Sequence, residues 1–324
     1  MGLLTILAKI LLTAIGSAVL LLVFSSIHHT SRLKREAEKF PPPGKVVQVN
    51  HTKMHVYSEG QGPFLLVFMG GHGTSSPTID FKPLWKKMSD ENRIIVTERA
   101  GYGWSEHSQG SRDIDTILEE TRKALELSGE IGPYVLVPHS MSGLEAIYWA
   151  QKYPLEVKAI IGLDPAIPDV YEESSELITQ KRGLKIMHFL TKTGVSRWMD
   201  RKELEKNLPL LGSKEWSEQD KETALALFYR SAISKNMLNE IDCIPGNAKK
   251  VKSNPAPVHT PMYFFISDGH DVLFPDWQKQ LSNYVSELNF GKFTYLECGH
   301  YVHHEKSDVI AKEAKRFLRE IEGK

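Results

Sequence analysis

The chain has 324 residues, of which 41% are hydrophobic and 25% are charged, a composition that excludes a disordered or fibrous protein. Its 40 basic residues balance its 40 acidic residues, so the net charge gives no indication of nucleic acid as a partner. The two cysteines, Cys243 and Cys298, are too few for a disulfide framework and lack the paired spacing of a zinc site. We expect both to be free thiols.

An uncharged apolar segment lies near the start of the chain, from Ile10 to Ile27. As a helix at about 1.5 Å per residue it approaches the ~30 Å hydrocarbon core of a bilayer, and residues 3–9 add length because Lys9 can extend towards the headgroups. A cleaved signal peptide is the alternative, but the segment exceeds the usual ~7 to 15 apolar residues and no clear A-x-A site follows it. We therefore predict a single-pass membrane protein with its transmembrane anchor in residues 1–30.

The charges that flank this segment leave its orientation open. Lys9 and the amino terminus lie on one side, while Arg32, Lys34 and Arg35 lie on the other, diluted by two glutamates. The following Phe40–Gly44 segment (FPPPG) predicts a stiff extended connection, because each proline fixes φ and lacks a backbone donor. We predict a juxtamembrane linker over residues 31–44 and a folded domain over residues 45–324.

The folded domain alternates short apolar runs with helical patterns, which predicts an α/β fold with a mostly parallel sheet flanked by helices. Val46–Val49 and Met54–Tyr57 resemble an opening antiparallel pair. The remaining predicted strands are 64–69, 93–97, 134–137, 157–163, 262–266 and 292–296, and the helices between them are 114–128, 143–152, 275–288 and 307–322. Residues 168–257 contain helical segments without a convincing strand, so we predict an inserted helical cap there.

One turn carries the pattern of a nucleophile. The predicted strand YVLV leads through Pro138-His139-Ser140-Met141-Ser142-Gly143 into a helix, so Ser140 lies on a strand-to-helix turn. Such a turn exposes the serine hydroxyl, and the helix amino terminus directs its free N–H groups at negative charge on the substrate. Pro138 is atypical, because the position two residues before such a serine is usually small.

A nucleophilic serine needs a base and a carboxylate that orients the base. His300 follows one predicted strand and Asp271 follows another, and the carboxyl ends of parallel strands meet at one sheet edge. We predict His300 as the base and Asp271 as the acid. Asp164, at the end of the strand VKAIIGL, is the rival for the acid. Met141 N–H and His72 N–H, in the Gly70-Gly71-His72-Gly73 turn, are the predicted oxyanion-hole donors.

Together, GGHG, RAGYGWS (residues 99–105), PHSMSG, SDGHD and CGHYVHHE resemble the motifs of the α/β-hydrolase family over residues 45–322, apart from the cap. In that family the order Ser…Asp…His matches Ser140, Asp271 and His300. Relatives with an aspartate nucleophile, such as epoxide hydrolases and haloalkane dehalogenases, are disfavoured because this turn carries serine. The resemblance implies no metal or organic cofactor.

These patterns predict a serine hydrolase that cleaves a small carboxylic ester or a lipid ester through an acyl-enzyme, with a small-molecule ester, lipid or amide as its substrate. An amide hydrolase resembling proline iminopeptidases is the alternative among enzymes. A non-catalytic binding protein on the same fold is the alternative from another class, and Pro138 is the feature that favours it.

Overall fold

A computed structural model describes residues 2–171 and 175–323, and its framework is one eight-stranded sheet in the order β1-β2-β4-β3-β5-β6-β7-β8. The strands are β1 (Lys45–Val49), β2 (Thr52–Glu59), β3 (Leu65–Met69), β4 (Arg93–Glu98), β5 (Tyr134–Ser140), β6 (Val157–Pro165), β7 (Met262–Ile266) and β8 (Gly291–Tyr295). β1 pairs with β2 and β2 with β4 in antiparallel fashion, whereas β4, β3, β5, β6, β7 and β8 are parallel. The predicted α/β fold with a mostly parallel sheet is confirmed.

Apart from the amino-terminal helix, the helices outside the cap cover both faces of the sheet. They are α2 (Pro77–Asp80), α3 (Lys82–Met88), α4 (Ile114–Ser128), α5 (Ser142–Lys152), α10 (Trp277–Ser286), α11 (Val302–Glu305) and α12 (Ser307–Glu322). Alternate residues of β5 show why both faces are covered: Leu136 packs into one apolar cluster, while Val135 and Val137 pack into the other. Strands that are buried on both faces read as continuous apolar runs, and this is the pattern that made them recognisable in the sequence.

The chain between β6 and β7 forms the cap. Its helices are α6 (Ser175–Lys192), α7 (Arg201–Asn207), α8 (Glu218–Ser231) and α9 (Lys235–Ser253), with short 3-10 turns such as Val195–Trp198 between them. Apolar residues of α8, including Ala224, Leu227 and Phe228, form a separate core with Trp104 and Trp216. The cap is thus a packed layer over the carboxyl ends of the strands.

The first helix, α1 (Gly2–Lys39), is longer than the sequence pattern predicts. It is long and apolar enough to cross a membrane, and none of its most apolar window is buried against the rest of the chain. The helix continues without interruption past residue 30, so residues 31–39 of the predicted linker are helical. Leucine, lysine, arginine, glutamate and alanine in this stretch are strong helix formers, and the triple proline ends the helix only after Lys39.

Candidate active site

Ser140 lies at the end of β5 in a backbone conformation that side-chain-bearing residues rarely adopt, with φ of 55°. Helix α5 begins two residues later, at Ser142. A non-glycine residue with positive φ is strained, and such strain concentrates at functional turns. The strand-to-helix turn expected from the sequence is therefore present, and its serine occupies the strained position.

Glycines permit the close approaches that this turn requires. A Cβ atom on Gly71 would lie 2.8 Å from the Ser140 Cβ atom, and one on Gly143 would lie 2.2 Å from the Ala166 carbonyl oxygen. Real Cβ atoms do not come this close to other heavy atoms. Gly71 thus allows the loop after β3 to pass next to Ser140, and Gly143 allows α5 to pack against the chain that follows β6.

The turn forms despite Pro138, and hydrogen bonds of the Ser142 hydroxyl help to hold it. The Ser142 hydroxyl oxygen lies 2.7 Å from the Met69 carbonyl oxygen and 2.8 Å from the His139 carbonyl oxygen, and it accepts a hydrogen bond from His139 N–H at 3.0 Å. The hydroxyl therefore connects β5 to β3 at the level of the register pair formed by Met69 and Pro138. The proline does not prevent the turn from forming.

The His300 ring contacts a buried carboxylate. His300 Nδ1 lies 2.6 Å from Asp164 Oδ2, and the Asp164 side chain is fully buried. Asp164 also accepts hydrogen bonds from Ser267 N–H at 2.8 Å, the Ser267 hydroxyl at 2.7 Å and Trp277 Nε1–H at 2.9 Å. A carboxylate with this many donors is held as an acceptor, which places the imidazole proton on Nδ1 and leaves Nε2 as the basic atom.

Asp271 does not contact the His300 ring, contrary to the prediction that it is the acid of the triad. Its carboxylate oxygens accept a hydrogen bond from the His300 backbone N–H, at 3.0 and 3.2 Å, and its side chain is exposed. The physical reason lies in the strand order, because β6 lies between β5 and β7 and its end brings Asp164 closer to the centre of the sheet. Asp164, the rival candidate for the acid, thus occupies the position next to the His300 ring.

The predicted oxyanion-hole residues flank Ser140. Met141 is the N-cap residue of α5, where a helix has no internal acceptor for its first N–H groups. His72 follows Gly71, and its ring Nε2 lies 2.8 Å from the Met237 carbonyl oxygen of α9. Burial lowers the pKa of His72, which keeps the ring neutral as a donor to that carbonyl. The contact connects the loop after β3 to the cap.

A buried ionic network contacts the loop after β3. Arg99 donates a hydrogen bond to the Gly70 carbonyl oxygen at 2.9 Å, and its guanidinium lies 3.5 Å from Glu145 and 3.8 Å from Glu240. The Tyr102 hydroxyl donates to Glu240 at 2.5 Å. Burial raises the pKa of Glu145, although Arg99 opposes that shift. The network joins the loop, α5 and the cap helix α9.

A cavity of about 240 Å³ lies above Ser140. Its wall combines the candidate site residues with apolar side chains from the cap and the loop after β7: His72, Ser140, Met141, Tyr171, Ile241, Ile244, Asp271, Val272, Leu273, Phe274, Trp277, His300 and Tyr301. Ser140, His300, His72, Met141 and Asp271 are therefore brought to one cavity, as the sequence predicts, and the wall opposite them is largely apolar. A small substrate with an apolar portion fits this composition.

Asp80, His303 and His304 form a second cluster, behind the His300 loop, whose donor atoms lie within 4.8 Å of one another. By residue type it could hold a metal ion, but each histidine Nε2 already lies 2.9 Å from a separate Asp80 carboxylate oxygen. Burial lowers the pKa of His303 to about 4, although Asp80 opposes that shift. The two imidazoles therefore each hydrogen-bond to the Asp80 carboxylate, and the cluster connects α2 to α11 directly after His300.

Two further groups near the site, the His139 ring and the Cys298 thiol, are buried. The His139 ring is buried, its Nε2 lies 3.1 Å from the His300 carbonyl oxygen, and burial lowers its pKa well below the usual value. Both cysteines are free, as predicted, and burial raises the pKa of the Cys298 thiol to about 12. A protonated buried thiol is a poor nucleophile.

Comparison with known proteins agrees with this architecture. Residues 63–185 match the family described as alpha/beta hydrolase fold. The uncharacterized protein YbdG of Bacillus subtilis (strain 168) is 36% identical over 318 residues, which cover 97% of each chain. The chain belongs to the α/β-hydrolase fold family. A relative from Mesorhizobium japonicum, 2-(acetamidomethylene)succinate hydrolase, is 25% identical over 118 residues, which cover 36% of this chain and 41% of that one.

Solved structures show the same fold at low sequence identity. The enol-lactonase from Burkholderia xenovorans LB400 is 16% identical with a TM-score of 0.62, and the match covers 85% of this chain and all of that one. A Bacillus megaterium epoxide hydrolase in complex with an inhibitor is 20% identical with a TM-score of 0.62, over 85% of this chain and all of that one. These two proteins differ in chemistry, so the fold alone does not select a reaction.

Proposed function

We propose that this protein is a membrane-anchored serine hydrolase that cleaves a small carboxylic ester or a lipid ester through an acyl-enzyme. One observation carries the proposal: a buried carboxylate, Asp164, holds the base His300 through Nδ1 beside a cavity that also contains Ser140. In this arrangement Ser140 is the nucleophile, His300 is the base and Asp164 orients the base.

The proposed reaction has two halves. His300 Nε2 accepts the Ser140 hydroxyl proton while Oγ bonds to the ester carbonyl carbon, and the oxyanion accepts hydrogen bonds from the N–H groups of Met141 and His72. The C–O bond to the alcohol then breaks, and the alcohol leaves with the proton from His300. Water attacks the acyl-enzyme in the same manner, which releases the carboxylic acid and restores Ser140. Asp164 stays ionised throughout.

A fluorophosphonate probe tests the nucleophile. We expect covalent labelling of the wild-type protein, with the probe on Ser140, and loss of labelling and ester turnover in Ser140→Ala. Ser128→Ala is the matched control and should label normally, because Ser128 is a buried serine at the end of α4, outside the cavity, whose hydroxyl donates to the Leu125 carbonyl oxygen of its own helix. Unchanged labelling of Ser140→Ala, or no labelling of the wild type, would contradict the proposed serine hydrolase and favour a non-catalytic binding protein.

Amide hydrolysis is the second candidate, and the exposed Asp271 carboxylate in the cavity wall favours it. A carboxylate at that place suits a substrate with a free amino group, as in peptidases that resemble proline iminopeptidases. The apolar wall favours esters. Turnover of p-nitrophenyl esters of increasing chain length, compared with aminoacyl-p-nitroanilides, decides between them, and faster turnover of the anilides would reverse the order of the two candidates.

The membrane anchor is supported by the way α1 joins the folded domain. Ser25 and His29 are buried against the cap, and Glu36 forms a two-point ion pair with Arg197, at 2.7 Å for both contacts. Cleavage after the apolar segment would remove part of this interface, which counts against a signal peptide. Retention of the full-length chain in carbonate-washed membranes is the expected result, and its release would contradict the anchor.

A further inference from the structure

We propose that the outer face of the cap, formed by Ile186, Phe189 and Trp198 and here called the cap face, rests on the surface of a bilayer that contains anionic lipids. This inference rests on the proposed membrane anchor and extends it, because it assigns the cap a lipid-binding surface. It follows from where α1 contacts the cap, from which side chains are exposed there and from the charges around them.

The cap is fixed to α1. Arg197 pairs with Glu36, and its Nε–H donates a hydrogen bond to His29 Nδ1 at 2.9 Å. Gly194 has a φ of 74°, and a Cβ atom there would lie 2.5 Å from the His29 Cβ atom, so the two segments are in close contact. The Arg197 and Glu36 side chains are both largely buried, which limits the freedom of the cap relative to α1.

These contacts set the cap at the end of the apolar segment. The Trp198 ring packs against the His28 ring with centroids 6.1 Å apart, and its Nε1–H donates to Ser25 Oγ at 3.3 Å. The Ser26 hydroxyl donates to the Thr193 carbonyl oxygen at 3.4 Å, next to the end of α6. The uncharged segment of α1 ends at Ile27. When α1 spans a bilayer, Trp198 therefore lies at the headgroup level, where tryptophan is enriched.

The cap face is apolar and exposed. Ile186 is 63% exposed, Phe189 53% and Trp198 65%. Ile186 and Phe189 are three residues apart on α6 and therefore share one side of that helix, and Thr193, four residues after Phe189, lies beside α1. Large exposed apolar side chains beside the end of the membrane-spanning segment fit the interfacial region of a bilayer.

Exposed basic residues outnumber acidic ones on the parts of α1 and α6 next to the cap face, although Glu36 and Glu38 lie among them on α1. Arg32, Lys34 and Arg35 are exposed on α1 in the two turns after the apolar segment, and Lys185 and Lys192 are exposed on α6. Basic residues close to a membrane surface attract anionic headgroups, at about 1 kcal/mol each. A second copy of the chain fits less well, because a stable protein interface needs about 20 to 30 residues on each side and the cap face has three large apolar side chains.

The position of α6 relates this surface to the cavity. Lys181 of α6 forms an ion pair with Asp242 of α9, and α9 contributes Ile241 and Ile244 to the wall of the cavity above Ser140. One helix layer therefore separates the bilayer from the site. An ester whose long acyl chain is dissolved in the membrane, and whose carbonyl end alone enters the cavity of about 240 Å³, is the substrate that this arrangement favours.

The test uses the full-length protein at one copy per lipid nanodisc, with phosphatidylglycerol and phosphatidylcholine as lipids. The background chain carries Cys243→Ala and Cys298→Ala and must still turn over a soluble ester. Phe189→Cys is added to it, and an NBD fluorophore is attached to the new cysteine. We expect spin-labelled lipid to quench at least about half of its emission. Leu155→Cys is the control, since Leu155 is 93% exposed before the amino end of β6, opposite the cap, and should stay unquenched.

A second measurement links the surface to turnover. Ile186→Ser with Phe189→Ser should lower hydrolysis of a long-chain ester in the disc at least about fivefold and leave a short soluble ester unaffected. Ile131→Ser with Leu155→Ser, which removes two exposed apolar side chains elsewhere, should change neither. Release by carbonate contradicts the anchor, and failure to label Ser140 contradicts the hydrolase. If the protein is anchored and active but the label at position 189 is not quenched, the proposed contact between the cap face and the bilayer is wrong, while the anchor and the hydrolase stand.

Discussion

Two loops at neighbouring strand ends each bring an aspartate to His300, and they do so in different ways. Asp164, after β6, is fully buried and contacts the ring. Asp271, after β7, is exposed and contacts only the backbone N–H. Burial and the number of hydrogen-bond donors, more than position at a strand end, therefore decide which carboxylate can orient a histidine ring.

The surroundings of the two carboxylates explain the difference. Asp164 has a φ of 48° and receives hydrogen bonds from Ser267 and Trp277 in addition to its contact with His300. These donors stabilise a buried charge that would otherwise be costly. Asp271 is exposed to water and needs no such support. The expected effects of substitution at the two positions therefore differ by orders of magnitude.

Asp164→Asn should have the largest effect, a loss of about 10⁴-fold in kcat, which is the loss for the same change in a serine-protease triad. The amide can donate to His300 Nδ1, which favours the wrong tautomer for proton transfer from Ser140. Ester turnover, together with thermal melting in detergent to show that the chain is folded, is the measurement. A folded variant with near wild-type kcat would remove Asp164 from the mechanism.

Trp277→Phe should have an intermediate effect, about a tenfold loss of kcat, because Asp164 loses one hydrogen bond to a charged group, worth about 1.5–3 kcal/mol. The phenyl ring keeps most of the packing against the His300 ring, whose centroid lies 5.7 Å from that of Trp277. The assay is ester turnover at saturating substrate.

Trp149→Phe is the matched control for this change, since Trp149 Nε1–H donates to a carboxylate of Glu156 at 2.9 Å, away from the cavity. Both variants should lose stability, and only Trp277→Phe should lose activity. Equal activity in the two variants would mean that the donors around Asp164 serve stability alone.

The fold was predictable from the sequence because its central strands, β3 to β7, are apolar on both faces. Val157–Pro165 and Met262–Ile266 were recognised to within two residues, since parallel strands between helix layers have continuous apolar runs. Ser140 was also predictable, because a strand, a short turn and a helix are adjacent in the sequence. The helix-forming residues 32–39 indicate that α1 continues to Lys39. The prolines that follow favour an extended linker, and for that reason the predicted linker begins too early.

The choice between Asp164 and Asp271 could not be made from the sequence. Both follow apolar strands, and both precede His300. What separates them is the set of donors around Asp164, and Ser267 and Trp277 lie more than 100 positions further along the chain. Such partners are brought together only by the sheet order, in which β6 and β7 are neighbours although the whole cap lies between them in sequence.

Asp271→Asn should have the smallest effect, a change of kcat within about threefold, because an asparagine side-chain oxygen can still accept the hydrogen bond from His300 N–H. The lost negative charge is exposed and is screened by water and salt, which limits its influence on the site. The variant is assayed beside Asp164→Asn on the same short ester and on an aminoacyl-p-nitroanilide. A selective rise in KM for the anilide would identify Asp271 as a binding group for an amine. A loss of kcat on the ester as large as that of Asp164→Asn would instead mean that Asp271 acts on the base, against the contacts of the two loops.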